Sequence, residues 1–244
     1  MKVLFLGASK GMGRALARRM AEAGANLVLL GRDLEDLRRS AADLQVHGAA
    51  SVNVVFCDLL EPAGFTRAFD EAQALLSGFD TVVVTAGLFA AQAALEADVE
   101  LTKTLLTADF TNTVLFCEEA RKRLLAAGGG TLCVFSSVAG ERGRKPVLLY
   151  GAAKAGLSHY LEGLDHKFRA QGLHTICVKP GFVKTSMTAG LKPPPFAGEP
   201  DDVARAVMQA IQKGTPEVYA PGIWRWVMLV IRLLPRTVMR RIGF

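Results

Sequence analysis

Long uncharged apolar runs are missing from this 244-residue chain. No stretch reaches the roughly 18 apolar residues that a membrane-crossing helix needs, although half of the residues are hydrophobic. So much apolar material without a spanning segment implies one large buried core. Cysteine is scarce too. Cys57, Cys117, Cys133 and Cys177 stand far apart, three of them in strand-like runs, which excludes a disulfide framework and a zinc spacing. They read as small core residues in a reducing cytoplasm. No Pro/Ser-rich linker, internal repeat or low-complexity tract divides the chain. Val3–Leu6 is too short for a signal-peptide core, and a glycine-rich segment follows at once. Acids are absent from Val218 to Phe244, where five arginines account for five of the six net positive charges. That is a local basic patch. With no aromatic–basic interleaving elsewhere, it is not a nucleic-acid-binding domain.

What is present alternates. Apolar β-forming runs at Val3–Leu6, Asn26–Leu30, Ser51–Phe56, Thr81–Val84, Thr131–Phe135, His174–Val178 and Glu217–Tyr219 read as strands. Helical patterns lie near Gly11–Ala23, Asp33–Leu44, Ala63–Leu76, Asp98–Ala126, Leu149–Ala170 and Asp201–Lys213. This alternation predicts an α/β protein, a Rossmann-type doubly wound sheet of seven mainly parallel strands with helices on both faces. It forms a single domain over 1–221, and a basic amphipathic tail, 222–244, belongs to the same unit.

Between the first strand and first helix lies Gly7-Ala8-Ser9-Lys10-Gly11-Met12-Gly13. A glycine-rich turn opening a helix N-terminus is a site for a cofactor's pyrophosphate. Gly7 permits the tight turn, Gly11 lets the backbone approach phosphates, and Gly13 lets helix and strand pack closely. The spacing G-x-x-x-G-x-G differs from the dinucleotide fingerprint G-x-G-x-x-G. Further along come Ser136-Ser137-Val138-Ala139-Gly140 and then Tyr150-Gly151-Ala152-Ala153-Lys154. A tyrosine donates protons near neutral pH only if its pKa falls from about 10. Lys154, one helical turn beyond Tyr150, favours the phenolate, and the Ser137 hydroxyl can bond the same substrate oxygen. This trio suits proton transfer at a carbonyl.

Together these motifs resemble the short-chain dehydrogenase/reductase family over nearly the whole chain. Gly7, Gly11 and Gly13 match its glycine motif, and Ser137, Tyr150 and Lys154 match its catalytic residues. Pro180-Gly181-Phe182-Val183-Lys184-Thr185 resembles its Pro-Gly-x-x-x-Thr segment, in which the threonine meets the nicotinamide carboxamide. The resemblance implies strand order 3-2-1-4-5-6-7 and a cofactor site at the carboxyl ends of the strands. It implies cofactor contacts from Gly7, Ser9, Lys10, Gly11, Met12, Gly13, Asp58, Ala86, Gly87, Tyr150, Lys154, Pro180, Gly181, Val183 and Thr185. After strand four the family often has Asn-Asn-Ala-Gly; this chain has Val84-Thr85-Ala86-Gly87, and Thr85 retains hydrogen-bonding capacity.

Arg32 ends the second strand where an NAD-selective enzyme places an acid, so the expected coenzyme is NADP(H), with NAD(H) the alternative. Lys10 can reach the same 2′-phosphate. The competing reading leaves Arg32 and Lys10 as solvated charges. Asp33 is expected to cap the following helix. Asp109 falls where many members hold a relay asparagine beside the catalytic lysine, and Asn112 lies one turn on. Either serves the relay, or both are structural.

Arg142, Arg144 and Lys145 lie between the serine and the tyrosine, as a phosphate clamp or a solvated run. The segment Phe182–Pro200, with three consecutive prolines, reads as a substrate lid. The tail presents Trp224, Trp226 and aliphatic residues among arginines, a composition suited to the interface of an anionic leaflet, or else to a pocket cover or partner contact. Ala139-Gly140-Glu141-Arg142, Tyr150-Gly151, Lys154-Ala155-Gly156-Leu157, Pro180-Gly181, Val183, Thr185, Leu191-Lys192 and the tail are similar to the decaprenylphosphoryl-2-keto-erythro-pentose reductase branch. That resemblance implies reduction of a 2-keto group on a polyprenyl-phosphate pentose. A 3-keto lipid, sphingoid base or other apolar ketone is the rival substrate, and a non-catalytic NADP-binding protein the rival class. No metal is expected. A cytoplasmic homodimer or homotetramer, peripheral on the inner face of the plasma membrane, completes the expectation.

Overall fold

A computed structural model describes residues 1–190 and 192–243. Leu191 of the branch resemblance and Phe244 of the tail lie outside them. The chain runs β1 (Lys2–Leu6), α1 (Gly11–Glu22), β2 (Asn26–Gly31), α2 (Leu34–Val46), β3 (Ser51–Phe56), α3 (Phe65–Leu76) and β4 (Thr81–Val84). It continues with α4 (Gln92–Ala97), α5 (Val99–Leu106), a π-helical turn (Thr107–Asn112), α6 (Thr113–Ala126) and β5 (Gly130–Phe135). Then come α7 (Leu148–Phe168), β6 (Leu173–Pro180), α8 (Pro200–Lys213), β7 (Glu217–Ala220), α9 (Ile223–Leu233) and α10 (Arg236–Met239). The seven strands pair in the order β3-β2-β1-β4-β5-β6-β7, and every pair is parallel. The predicted doubly wound order is the observed one.

The pleat sorts the strands' side chains onto two faces. Leu4, Leu6, Val82, Val84, Leu132 and Val134 join Phe69, Phe116 and Leu157 from α3, α6 and α7. Val3, Phe5, Val83, Cys133 and Ile176 join Leu16, Met20, Val203 and Val207 from α1 and α8. Burial on both faces is why these strands are continuous apolar runs. Burial pushes all four cysteine thiols up, Cys177 to about 11 and Cys57 to about 12, so they are protonated core residues as expected.

Two helical features differ from the sequence reading. The span predicted as one helix, Asp98–Ala126, starts at the Asp98 cap, which accepts from Leu101 N–H at 3.0 Å, and is interrupted by the π turn. α4 was not expected. The tail is half docked. Trp224, Met228 and Ile231 of α9 pack against Val138 and Tyr219, whereas Trp226, Val230 and Leu233 are 64%, 60% and 76% exposed. The two tryptophans, expected on one face, point in opposite senses. No described helix is long and apolar enough to cross a membrane.

Candidate active site

Glycine removes side chains where β1, β4 and α1 converge. Gly7 has φ +98°, and a Cβ there would lie 2.5 Å from Ala86 N. A Cβ on Gly13 would lie 2.2 Å from the Gly7 carbonyl oxygen and 2.5 Å from Thr85 Oγ1. Thr85 takes up the position that the motif departure left open, since its hydroxyl donates to the Gly7 carbonyl at 2.8 Å. The first turn of α1 is thereby held close under β1, with its free N–H groups at the carboxyl edge of the sheet.

A cavity of about 690 Å³ opens there. Of the expected cofactor residues, Gly7, Ser9, Lys10, Arg32, Asp58, Ala86 and Gly87 line it. Gly11, Met12, Gly13, Tyr150, Lys154, Pro180, Gly181, Val183 and Thr185 do not. Gly11 instead abuts Thr185, whose Cγ2 lies 3.3 Å from where a Gly11 Cβ would be, so the glycine loop and the Pro-Gly-x-x-x-Thr segment meet. Met12 packs towards the α1 face of the core, and Val183 is buried. The side-chain-free cradle and the cavity's size suit a dinucleotide.

Arg32 is exposed on the cavity wall. Asp33 caps α2, accepting from Asp36 N–H at 3.0 Å, and that bond is the main cause holding its carboxyl below the usual range. Lys10 is mostly exposed and lies 3.6 Å from Asp36. Asp36, Phe89 and Met187 also line the cavity, and sequence reasoning had singled out none of them. Met187 comes from the segment after β6, where a lid was expected.

Ser137 follows β5 and begins a tight turn. Its Oγ accepts from Ala139 N–H at 3.1 Å. A Cβ on Gly140 would lie 2.7 Å from Ala155 N, and one on Gly151 would lie 2.8 Å from the Ala139 carbonyl oxygen. These two glycines let the turn press directly on α7, which brings Ser137 beside Tyr150. Ser136 serves the same contact differently, donating to the Lys154 carbonyl at 2.9 Å. Phe89 meets the Tyr150 ring edge-on, 5.2 Å between centroids.

Lys154 is 4% exposed, 5.6 Å from the centre of the Tyr150 ring and 3.4 Å from Asp109 Oδ2. The other Asp109 oxygen accepts from Leu88 N–H at 2.6 Å. The π turn settles which polar residue faces the lysine. Asp109 does, while Asn112 donates to the Leu59 carbonyl at 2.9 Å and does structural work. Gly87 joins this pair to the cavity, because a Cβ there would lie 3.1 Å from Asp109 Oδ1 and 3.4 Å from Lys154 Nζ. Burial lowers the Lys154 pKa, but Asp109 and Tyr150 raise it more, so the ammonium form persists. Burial raises Asp109 against the pull of Lys154. For Tyr150, burial raises the pKa most, Lys154 lowers it, Asp109 raises it and the Ser137 hydroxyl lowers it. The net direction is upward, against the fall expected from Lys154, because burial outweighs the ammonium and keeps the phenol protonated.

The basic run after Gly140 holds an acidic hub. The Glu141 side chain is only 6% exposed and meets Lys179 Nζ at 2.6 Å, Arg232 Nη1 at 3.2 Å and the Tyr219 hydroxyl at 3.1 Å. Lys179 also pairs with Glu217. α9 is therefore fastened to the turn that carries Ser137. Trp224 lies flat on Gly181, its Nε1 2.0 Å from where a Cβ at 181 would be, and that nitrogen donates to the Phe196 carbonyl at 3.3 Å.

Known proteins resemble this chain over most of its length. A family model described as short chain dehydrogenase matches residues 1–195. An uncharacterized oxidoreductase of Mycobacterium tuberculosis is 34% identical over 239 residues, covering 98% of this chain and 96% of the relative. Carbonyl reductase family member 4 of Xenopus tropicalis is 27% identical over 210 residues, covering 83% and 87%. A solved short-chain type dehydrogenase/reductase from Mycobacterium ulcerans superposes with a TM-score of 0.81 at 22% identity, covering 89% of this chain and 86% of that one.

Proposed function

The chain belongs to the short-chain dehydrogenase family and is an oxidoreductase of the kind that uses a nicotinamide coenzyme, and on that premise we propose that it is an NADPH-dependent reductase of a ketone on a lipid-linked or apolar substrate. One observation carries the reading. Tyr150, beside Ser137 and Lys154, meets Phe89, and the Lys154–Asp109 pair stands against Gly87; Phe89 and Gly87 both line the cavity. Held by the glycine loop and the residues that line the cavity, a nicotinamide coenzyme would supply the hydride that a carbonyl carbon accepts. Tyr150 gives its phenolic proton to the carbonyl oxygen, and Ser137 hydrogen-bonds that oxygen and orients it. Lys154 lowers the cost of leaving a phenolate, and Asp109 holds the ammonium in place. NADPH oxidation with ketones graded from short and polar to long and apolar tests this directly. Turnover confined to the polar ones would exclude the apolar substrate class.

In the alcohol-oxidising direction Tyr150 must first lose its proton, so activity rises as pH climbs through its pKa. Asp109 is one of the groups raising that pKa. Asp109→Asn should therefore move the rising limb of the oxidative pH–rate profile to lower pH. A profile with the limb unmoved, at retained activity, would leave Asp109 only a structural role.

Arg32 at the cavity wall supports NADPH over NADH. Losing a charge-assisted contact to the 2′-phosphate costs about 1.5–3 kcal/mol, so Arg32→Ala should erode the preference at least tenfold. Equal use of both coenzymes by the unaltered protein would contradict this. Lys10 is the weaker contributor, because Asp36 already holds its ammonium.

Within the apolar class, the 2-keto group of a polyprenyl-phosphate pentose is favoured by the resemblance that runs from Ser137 onward, with a 3-keto lipid or sphingoid base as rival. Neither of the two relatives named above is described as acting on a lipid-linked sugar. Mass spectrometry of lipids co-purifying with the protein separates these substrates. The exposed stripe of Ile223, Trp226, Val230 and Leu233, beside a run of arginines without acids, supports peripheral contact with an anionic leaflet. Trp226→Ser combined with Val230→Ser should abolish sedimentation with anionic vesicles while leaving the docked face of α9 intact. Unchanged sedimentation would instead assign the stripe to a subunit contact, which the mass in solution would reveal.

A further inference from the structure

Two segments that the sequence reading treated separately meet in space. Residues 142–145, between Ser137 and Tyr150, and residues 236–242 of the tail form the walls of a cleft of about 370 Å³. It is distinct from the cavity at the glycine loop, and the two share no lining residue. Five of its lining residues are cationic: Arg142, Arg144, Lys145, Arg236 and Arg240. No carboxylate stands among the described residues that line it. Arg142 Nη2 donates to the Leu234 carbonyl at 2.8 Å, and Lys145 Nζ donates to the Arg240 carbonyl at 2.7 Å. Those bonds fix both side chains in the cleft without neutralising either. Gathering cations of one sign in a concave site raises the local potential by several kT and concentrates anions there. Guanidinium forks match the geometry of phosphate oxygens. Leu148, Met239 and Ile242 give the same cleft an apolar side, which a bare inorganic anion would leave uncovered.

We propose that this cleft binds the phosphate group of an apolar phosphoester, the cations taking the phosphate and the aliphatic wall taking the adjoining carbon chain. Leu148 opens α7 two residues before Tyr150, so the ligand lies against the turn of helix that carries the tyrosine. The inference rests on the cleft alone and not on which ketone is reduced. The ligand has two sources, a soluble phosphoester or the headgroup of a membrane lipid.

The test uses full-length protein saturated with NADPH, so that the glycine loop and Arg32 are already occupied. Calorimetric titration with hexyl phosphate at low salt should show one site, weakened by added sodium chloride, and hexanol should show none. Arg236→Gln with Arg240→Gln should weaken hexyl phosphate at least tenfold while leaving NADPH affinity unchanged. Arg236→Lys with Arg240→Lys should retain part of the binding. Sedimentation with phosphatidylcholine vesicles, with and without phosphatidic acid, then separates the sources. Wild-type sedimentation that needs phosphatidic acid and is lost in the glutamine variant identifies a lipid headgroup; hexyl phosphate binding without sedimentation identifies a soluble phosphoester. No binding of hexyl phosphate to the NADPH-loaded protein, binding indifferent to salt, or equal binding by the glutamine variant would each overturn the proposal.

Discussion

Tyr150→Phe is expected to lower turnover by about 10²–10⁴-fold, the range that positioned general acid catalysis contributes, while NADPH affinity stays within a few-fold of the original. The substitution removes one oxygen and keeps the ring. The edge-on contact with Phe89 and the seat of the turn against Gly151 both survive. The loss should fall on kcat and kcat/KM together, as for an interaction made only in the transition state. Stopped-flow hydride transfer and coenzyme titration measure the two halves separately. Activity within tenfold of the unaltered protein would show that another group supplies the proton.

Gly13→Ala should give the second large effect, for a reason opposite to helix propensity. Alanine within a helix is favoured over glycine by about 1 kcal/mol, and Gly13 lies in the first turn of α1. Its new Cβ, however, would stand 2.2 Å from the Gly7 carbonyl oxygen and 2.5 Å from Thr85 Oγ1. The first of these atoms is backbone and cannot swing away. Relieving the clash must separate α1 from the Gly7 turn and stretch the Thr85 bond that ties β4 to it. Overpacking of this kind costs about 1–3 kcal/mol, and coenzyme affinity should fall at least tenfold with it. Gly163→Ala is the control. Gly163 lies in α7 with no neighbour within 4 Å of its would-be Cβ, so the same exchange there should stabilise by up to about 1 kcal/mol. Urea unfolding of the two variants should move in opposite directions. Movement in the same direction would remove the steric account of the glycine motif.

The strands were legible because both faces of the sheet are covered. Each strand is then an apolar run, and its boundaries are set by the glycines and polar residues that follow. The grouping of Ser137, Tyr150 and Lys154 was legible because its spacing lies within one turn and one helix. Asp109 was not decidable from sequence. A π turn shifts the register between Thr107 and Asn112 without any glycine or proline to announce it, and only that shift separates a residue facing Lys154 from one bonded to Leu59. α4 was missed because the alanine-rich stretch after Gly87 carries no start signal that separates it from the loop. Glu141 was hidden for a different reason. It sits in a run of cations, yet its partners arrive from residues 179, 219 and 232, separations that no local pattern encodes. The tail was half legible: its amphipathicity was plain, but which face would dock depended on Val138 and Tyr219.

The fit of Trp224 against Gly181 ties two distant positions into one unit of inheritance. While the indole keeps this seat, a Cβ at 181 would fall 2.0 Å from the ring nitrogen, so a larger residue there must push Trp224 aside. Where the tail is shortened or position 224 is small, that particular restriction on residue 181 is absent. A tryptophan at 224 takes this seat only where position 181 carries no side chain. Positions 181 and 224 are therefore coupled, and a side chain at 181 is expected together with a displaced or replaced tryptophan.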